Sequence, residues 1–381
     1  MKMSPLSPLD VRNFVEEVAG TVLHERQVDS LAHAVVGAMY ADRAGVAAIG
    51  RASARVRDVS EKHSIKQVDR LLSNDKIGVS AVQQLLARLI IGERKEIVVA
   101  IDWTSYEPDG HITLAISLIA EHGRATPLLW RTIELKRLKS RQTKLETQLL
   151  WTLALVVPEG VRVTVLADRG FGSSYLFRLL SEKIKFDYVI RVRKGITIEA
   201  SDGTKATASE WTPTNGRPRQ LLDARITRQR HLVGAVVCVK RAGMKDSWCL
   251  VTSRRDAPEE IVQLYSRRFD IEHSFRDQKD RRFGFGLYHS RVGTPARRDR
   301  FLLILVFAAV LLTMLGAAGE SQGLDRTLRA NTVTDRRTHS LLRQGREYVL
   351  GVARAVVADV RRAFRDLCHG LRKSDEIYAP L

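Results

Sequence analysis

EIVVAIDWTSYEPDGHITLAISLIAEHGRATPLLWRTIE, residues 96–134, sets the architecture of this 381-residue chain. It holds three apolar runs, EIVVAID, HITLAISLI and TPLLWRTIE, divided by the turn signals Pro108-Asp109-Gly110 and Glu121-His122-Gly123. Downstream, a helical stretch from roughly Thr143 to Val157 is ended by Pro158 and Gly160. VRVTVLA (161–167) then reads as a strand leading into Asp168, Ser174 to Lys185 as a helix, and FDYVIRV (186–192) as a strand. The order is strand, strand, strand, helix, strand, helix, strand. That is an α/β pattern in which a meander precedes two crossover units.

On the N-terminal side, residues 1–92 carry apolar residues at helical spacing in VRNFVEEVAGTVL and SAVQQLLARLII, with a basic segment between them. This predicts a helical, DNA-contacting region, with a solvated helical face as the alternative. On the C-terminal side, residues 194–253 are rich in Gly, Thr, Pro, Asn and Arg, with short runs such as LVGAVVCVK and WCLVTS, and read as a β-rich insertion. The flanking segments 93–193 and 254–318 make up one α/β core. Its last part opens on a helix near Pro258, with Asp256 as the expected cap. Residues 319–381 are expected to be a helical tail, with SLLRQGREYVLGVARAVVADV as the expected site of self-association.

Hydrophobic residues make up 44% and charged residues 28%, the balance of a globular protein rather than a disordered one. Lys and Arg number 62 against 43 Asp and Glu, a formal charge of +19. A surplus of that size attracts a polyanion, nucleic acid before an anionic membrane surface. Cys238, Cys249 and Cys368 are widely spaced and form no CxxC pair, which argues against a disulfide framework or a cysteine zinc site and fits a reducing compartment. MKMSPLSPLDVRNFVEEV shows no apolar h-region, so the expected location is cytoplasmic, at the nucleoid. Phe301 to Ala318 is uncharged and at the threshold of a transmembrane span; the reading preferred here is a helix buried in a large core.

Asp102 and Asp168 each follow an apolar strand. The element order resembles a ribonuclease-H-like fold, in which the first and fourth strands lie side by side, so both carboxylates would emerge at one sheet edge. Two like charges so placed are costly unless a cation lies between them, and oxygen ligands suit Mg²⁺ or Mn²⁺. In YSRRFDIEHSFRDQK (265–279), Tyr265, Arg268, Glu272 and Lys279 fall on one face of a continuous helix. A salt-bridged amphipathic helix is the alternative.

These motifs together resemble the DDE transposases of the IS4 insertion-sequence family. AIDWTSY surrounds Asp102, VLADRGFGSSYL surrounds Asp168, and Y-x2-R-x3-E-x6-K is met by Tyr265, Arg268, Glu272 and Lys279. The resemblance covers roughly residues 96–318. It implies a ribonuclease-H-like catalytic core interrupted by a β-rich insertion, and catalysis by Asp102, Asp168 and Glu272 holding two divalent ions. It implies further that Tyr265, Arg268 and Lys279 grip DNA phosphates, that terminal repeats and target DNA are the substrates, and that a homodimer forms on DNA. It offers Trp211 and Trp248, in the insertion region, as candidates to hold a flipped base; the reading preferred for each is a core role. Arg169 is read as a phosphate contact or a salt bridge, Gly170-Phe171-Gly172 as a tight connection, and the arginine-rich run 281–300 as lining a DNA path. Two other function classes stay open at this point: a DNA-binding regulator without catalysis, and a membrane-anchored protein.

Overall fold

The computed structural model describes residues 2–282, 284–328, 332–333 and 337–370. Five helices come first: α1 (Pro8–Ala19), α2 (Glu25–Tyr40), α3 (Val46–Arg57), α4 (Glu61–Ser73) and α5 (Val79–Ile91). α1 opens on a capping box in which Ser7 and Asp10 exchange side-chain and backbone bonds, with Pro8 in the first turn.

The three runs of 96–134 form an antiparallel meander of β1 (Glu96–Tyr106), β2 (His111–Ile119) and β3 (Ala125–Glu134). α6 (Leu138–Val156) begins five residues before the expected start, because a 3₁₀ turn over Leu135–Arg137 feeds directly into it. It crosses over to β4 (Arg162–Ala167), which pairs with β1 in parallel, Ile101 opposite Ala167. The next residues on these strands are Asp102 and Asp168, so the two carboxylates leave neighbouring strand positions. α7 (Ser174–Arg178) runs on through a π-wound turn, Leu179–Ile184, to β5 (Asp187–Arg191), which is parallel to β4.

The segment 194–253 does two things. Residues 197–199, 205–207, 225–226 and 231–232 build a separate four-stranded sheet. β6 (Arg219–Leu222), β7 (Ala235–Val239) and β8 (Trp248–Thr252) instead extend the main sheet, giving the order β3-β2-β1-β4-β5-β8-β7-β6. AVVCV carries no charge and is buried at every position, so it belongs inside a sheet covered on both faces. Cys238 and Cys249 lie 11 residues apart on consecutive strands, and the β7–β8 register sets them opposite each other as free thiols, Sγ to Sγ 3.2 Å.

α8 (Pro258–Ser266) is not capped by Asp256, as the sequence suggests. Ala257 occupies the cap, and the Asp256 carboxylate accepts from Arg254 Nε at 2.6 Å instead. α9 (Phe269–Lys279) follows, then α10 (Pro295–Ser321), α11 (Leu341–Val349) and α12 (Val357–Gly370). Among the described residues α10 is the one helix long and apolar enough to cross a membrane, and α2, α11, α12 and β3 pack around it and bury it almost throughout. The apolar face of α11 is spent on the same contact. A Cβ on Gly345 would lie 1.9 Å from the Leu312 carbonyl oxygen, so only glycine allows so close a crossing. Self-association through this part of the C-terminal stretch would therefore have to use its polar face or α12; residues 371–381 lie outside the described residues.

The arginine-rich run divides. Arg297 pairs with Asp69 and Ser73, Arg300 donates to the Leu72 carbonyl, and Arg298 is fully buried against Asp109, so these three tie α10 to α4 and to the β1–β2 turn. Arg281, Arg282 and Arg291 remain at the surface. Between them, burial pushes the Asp299 carboxyl up to about 7, although Thr132 donates its backbone N–H to Oδ1 at 2.9 Å. The native state thus holds a proton that the unfolded chain releases near pH 4, and stability falls as pH rises from about 4 to 7. Asp299→Asn keeps the acceptor without the charge. It is expected to flatten that slope, worth up to about 4 kcal/mol, in urea midpoints taken at pH 4.5 and 8. Identical pH dependence in the two proteins would refute the assignment.

Candidate active site

Successive residues of a strand point to opposite faces, and β1 uses both at Asp102 and Trp103. Asp102 Oδ2 lies 3.4 Å from Arg268 Nη1, and Arg268 Nη2 donates to Glu272 Oε1 at 2.5 Å. One guanidinium therefore bridges the carboxylates of β1 and α9. Asp102 Oδ1 accepts from the Trp103 backbone N–H at 2.8 Å. Asp168 sits in the turn after β4, where its Oδ1 accepts from Gly170 N at 2.7 Å. A Cβ on Gly170 would stand 3.0 Å from that same oxygen, so the glycine lets the loop fold tightly over the carboxylate.

Burial pushes the Asp102 carboxyl up to about 6; Arg268 opposes the shift, while Asp168 and then Glu272 reinforce it. Three carboxylates, Asp102, Asp168 and Glu272, thus stand around one guanidinium, and the site is lined by oxygen donors. Because Arg268 stands between Asp102 and Glu272, no three ligating side chains converge on one point among the described residues.

The signature residues are not on one helix. α8 ends at Ser266 and α9 starts at Phe269; between them Arg267 and Arg268 donate to Leu264 and Tyr265, three residues back rather than four. That tighter turn interrupts the helix, although Arg268 still reaches Glu272 four residues on and lies over the Tyr265 ring. Tyr265 is buried, its ring edge-on to Trp248 at 5.0 Å, and burial pushes its hydroxyl up to about 12. Arg268 is also buried and points inward to the carboxylates. Lys279 lies with Nζ 5.0 Å from the Tyr106 ring centre, and burial lowers its ammonium to about 8. His273 stands 4.0 Å from Asp270.

The two tryptophans separate cleanly. Trp211 is buried in the small sheet, with Nε1 donating to the Ile198 carbonyl and Arg219 over its ring at 4.5 Å. Trp248 stands beside the site, against Tyr265 and, at 6.0 Å, Phe269. Arg169 is exposed beside Asp168.

One residue escaped the sequence reading. Glu146 of α6 is buried, accepts from Trp103 Nε1 and Gln142 Nε2 at 2.9 Å each, and is pushed up mainly by burial, with Asp168 adding to the shift. It fixes the indole next to Asp102. Its signal was present: Glu146, Leu149, Leu150 and Leu153 share the core stripe of α6, where a carboxylate is out of place.

Residues 139–311 match the family described as the transposase DDE domain. The matched range contains Asp168, Tyr265, Arg268, Glu272 and Lys279 and opens after Asp102. The match supports a DDE transposase and, with it, an enzyme that processes DNA. No curated protein matches the chain.

Proposed function

We propose that this chain is a cut-and-paste DNA transposase of the IS4 type, which cleaves the ends of an insertion sequence and joins them to target DNA. One observation carries the reading: Asp102 and Asp168 leave adjacent parallel strands, and Glu272 is drawn to Asp102 through a shared guanidinium. The strand order β3-β2-β1-β4-β5 supports a ribonuclease-H-like core. Residues 1–92 would be its helical DNA-binding region, residues 194–253 its β-rich insertion and 319–381 its C-terminal region. The net charge of +19 supports duplex DNA as the partner, with a homodimer pairing the two element ends.

The donor set fits a hard divalent cation, since it is all oxygen and includes a buried carboxyl, Asp102, that a cation would hold ionised against the burial that raises it. Asp102, Asp168 and Glu272 would hold Mg²⁺ or Mn²⁺. When bound, two such ions would supply an activated water or 3′-hydroxyl and stabilise the leaving oxygen at phosphorus. Arg268, released from the carboxylates, would turn its fork to the phosphate flanking the scissile one, and Lys279 would add a second cation. Glu146 would keep Trp103, and with it the end of β1, in place. Trp248, already among aromatic rings, is the better candidate to receive an unstacked base.

The test is cleavage of a supercoiled plasmid carrying the DNA ends that flank this gene, with Mg²⁺ or Mn²⁺. The wild type is expected to release the element, and Glu272→Gln to bind the ends without cutting. Binding of the ends without cleavage by either protein would overturn the enzymatic reading in favour of a DNA-binding regulator.

A further inference from the structure

β3 is an edge strand of the main sheet. Beside it, α5, α6 and the first turn of α10 wall a groove of about 770 Å³. From the cap of α6 along the helix, Arg137, Arg141, Lys144, Gln148 and Trp151 recur at spacings of four, three, four and three and line that groove. Arg131 adds a further cation from β3. The acids present are Glu134, already paired with Lys136 and Arg137, and the buried Asp299. Arg131, Arg141 and Lys144 are exposed and make no side-chain hydrogen bond or ion pair among the described residues.

Their placement is electrostatically adverse. Lys136, Arg137, Lys139 and Arg141 crowd the N-terminal end of α6, where the peptide dipoles already present positive charge and cations are disfavoured. Glu134 offsets part of this; a polyanion lying in the groove would offset the rest.

We infer that this groove is a second duplex-DNA site, a track for the phosphate backbone outside the candidate active site. The inference rests on the DNA-processing reading above. From Arg137 to Trp151 the stripe is about 21 Å long, or roughly six base pairs of duplex. Trp103 is opposite Leu114, and Leu114 opposite Arg131, so the groove starts two strands, roughly 10 Å, from the residue that follows Asp102. A duplex engaged at the carboxylates reaches it within one helical turn. Trp151, 43% exposed at the far end, offers an apolar surface to the sugars.

The experiment measures the affinity of the full chain for a linear 30-base-pair duplex (roughly three helical turns) across a salt series. The wild type is compared with Arg131→Gln/Arg141→Gln/Lys144→Gln and with a control, Arg178→Gln/Lys183→Gln/Lys185→Gln, which removes three exposed cations from α7, its π-wound extension and the residue capping it. Loss of three phosphate contacts reduces the slope of log K against log salt by about 2.7, so the groove variant loses ~40-fold less affinity between 50 and 200 mM salt. The control is expected to keep the wild-type slope. Equal slopes in the wild type and the groove variant, or an equal change in the control, would overturn the inference and leave the transposase reading intact. A wild type that binds no duplex at 50 mM salt would overturn that reading itself. Protection of the wild type by polyglutamate, lost in the groove variant without any change in DNA slope, would assign the groove to an acidic protein segment and overturn the DNA site. Should the triple variant fail to fold, the exposed single substitution Arg141→Gln is expected to lower the slope by about 0.9.

Discussion

Asp102→Asn is expected to abolish DNA strand cleavage and at the same time make the metal-free protein more stable. The substitution keeps an acceptor for the Trp103 backbone N–H and removes one negative charge from a buried group whose neighbours are Asp168 and Glu272. Charge stabilisation by bound divalent ions is worth several kcal/mol of barrier, so cleavage should fall by about a thousandfold or more. In the absence of metal the wild type at pH 8 bears the cost of ionising a carboxyl whose ordinary value has been raised to about 6. A raised carboxyl destabilises the native state above its native value, and the asparagine removes that cost, on the order of 2–3 kcal/mol. Plasmid nicking and urea unfolding in the presence of a chelator measure the two effects. Lost stability together with lost cleavage would mean that Asp102 serves the fold; undiminished cleavage would remove it from the active site.

The largest effect on stability is expected at the Arg298–Asp109 pair. Arg298 is fully buried, donates through Nη2 to Asp109, and lies 4.1 Å from the Tyr106 ring centre. Its Nε and Nη1 meet no acceptor among the described residues. Asp109→Ala leaves that guanidinium buried and without its carboxylate, which costs about 3–5 kcal/mol. Arg298→Met should cost less, because Asp109 keeps the Val292 backbone N–H at 3.2 Å and Arg291 at 3.9 Å. The double variant should recover part of the Asp109→Ala loss, since replacing both partners removes the uncompensated charge. Denaturant unfolding of the four proteins checks this. Additive losses would mean that the pair is not coupled.

The two effects are linked through β1. Asp102 lies within that strand, Tyr106 ends it, and Asp109 forms the turn beyond it. The buried arginine of α10 thus fastens the strand that presents the first carboxylate, so Arg298, one of the run read from sequence as a DNA path, faces the core instead.

Local patterning by itself determined the meander, the crossover helices, the helical N-terminal region, and the position of Asp168 after an apolar strand; Asp102 was expected to follow its strand too, but β1 runs on through it to Tyr106 because those residues pair with β2. Each of these depends on hydrophobic period and on turn residues a few positions apart. The Glu146 carboxylate was also written there, on the apolar stripe of α6, although it was not read. Only the tertiary structure decided the rest. It broke the expected single helix at Arg267 and Arg268, turned Arg268 inward between two carboxylates, and joined β7 and β8 to the main sheet. It also brought Cys238 to Cys249, set Trp248 rather than Trp211 beside Tyr265, and buried the apolar α10 among helices of this chain rather than in lipid. The helix break rests on bonds only three residues back, but the others depend on more distant partners, 11 residues away for the two cysteines and 166 for Arg268 and Asp102. A one-dimensional period records which face of an element is apolar, but not what will cover it or which charge will meet which.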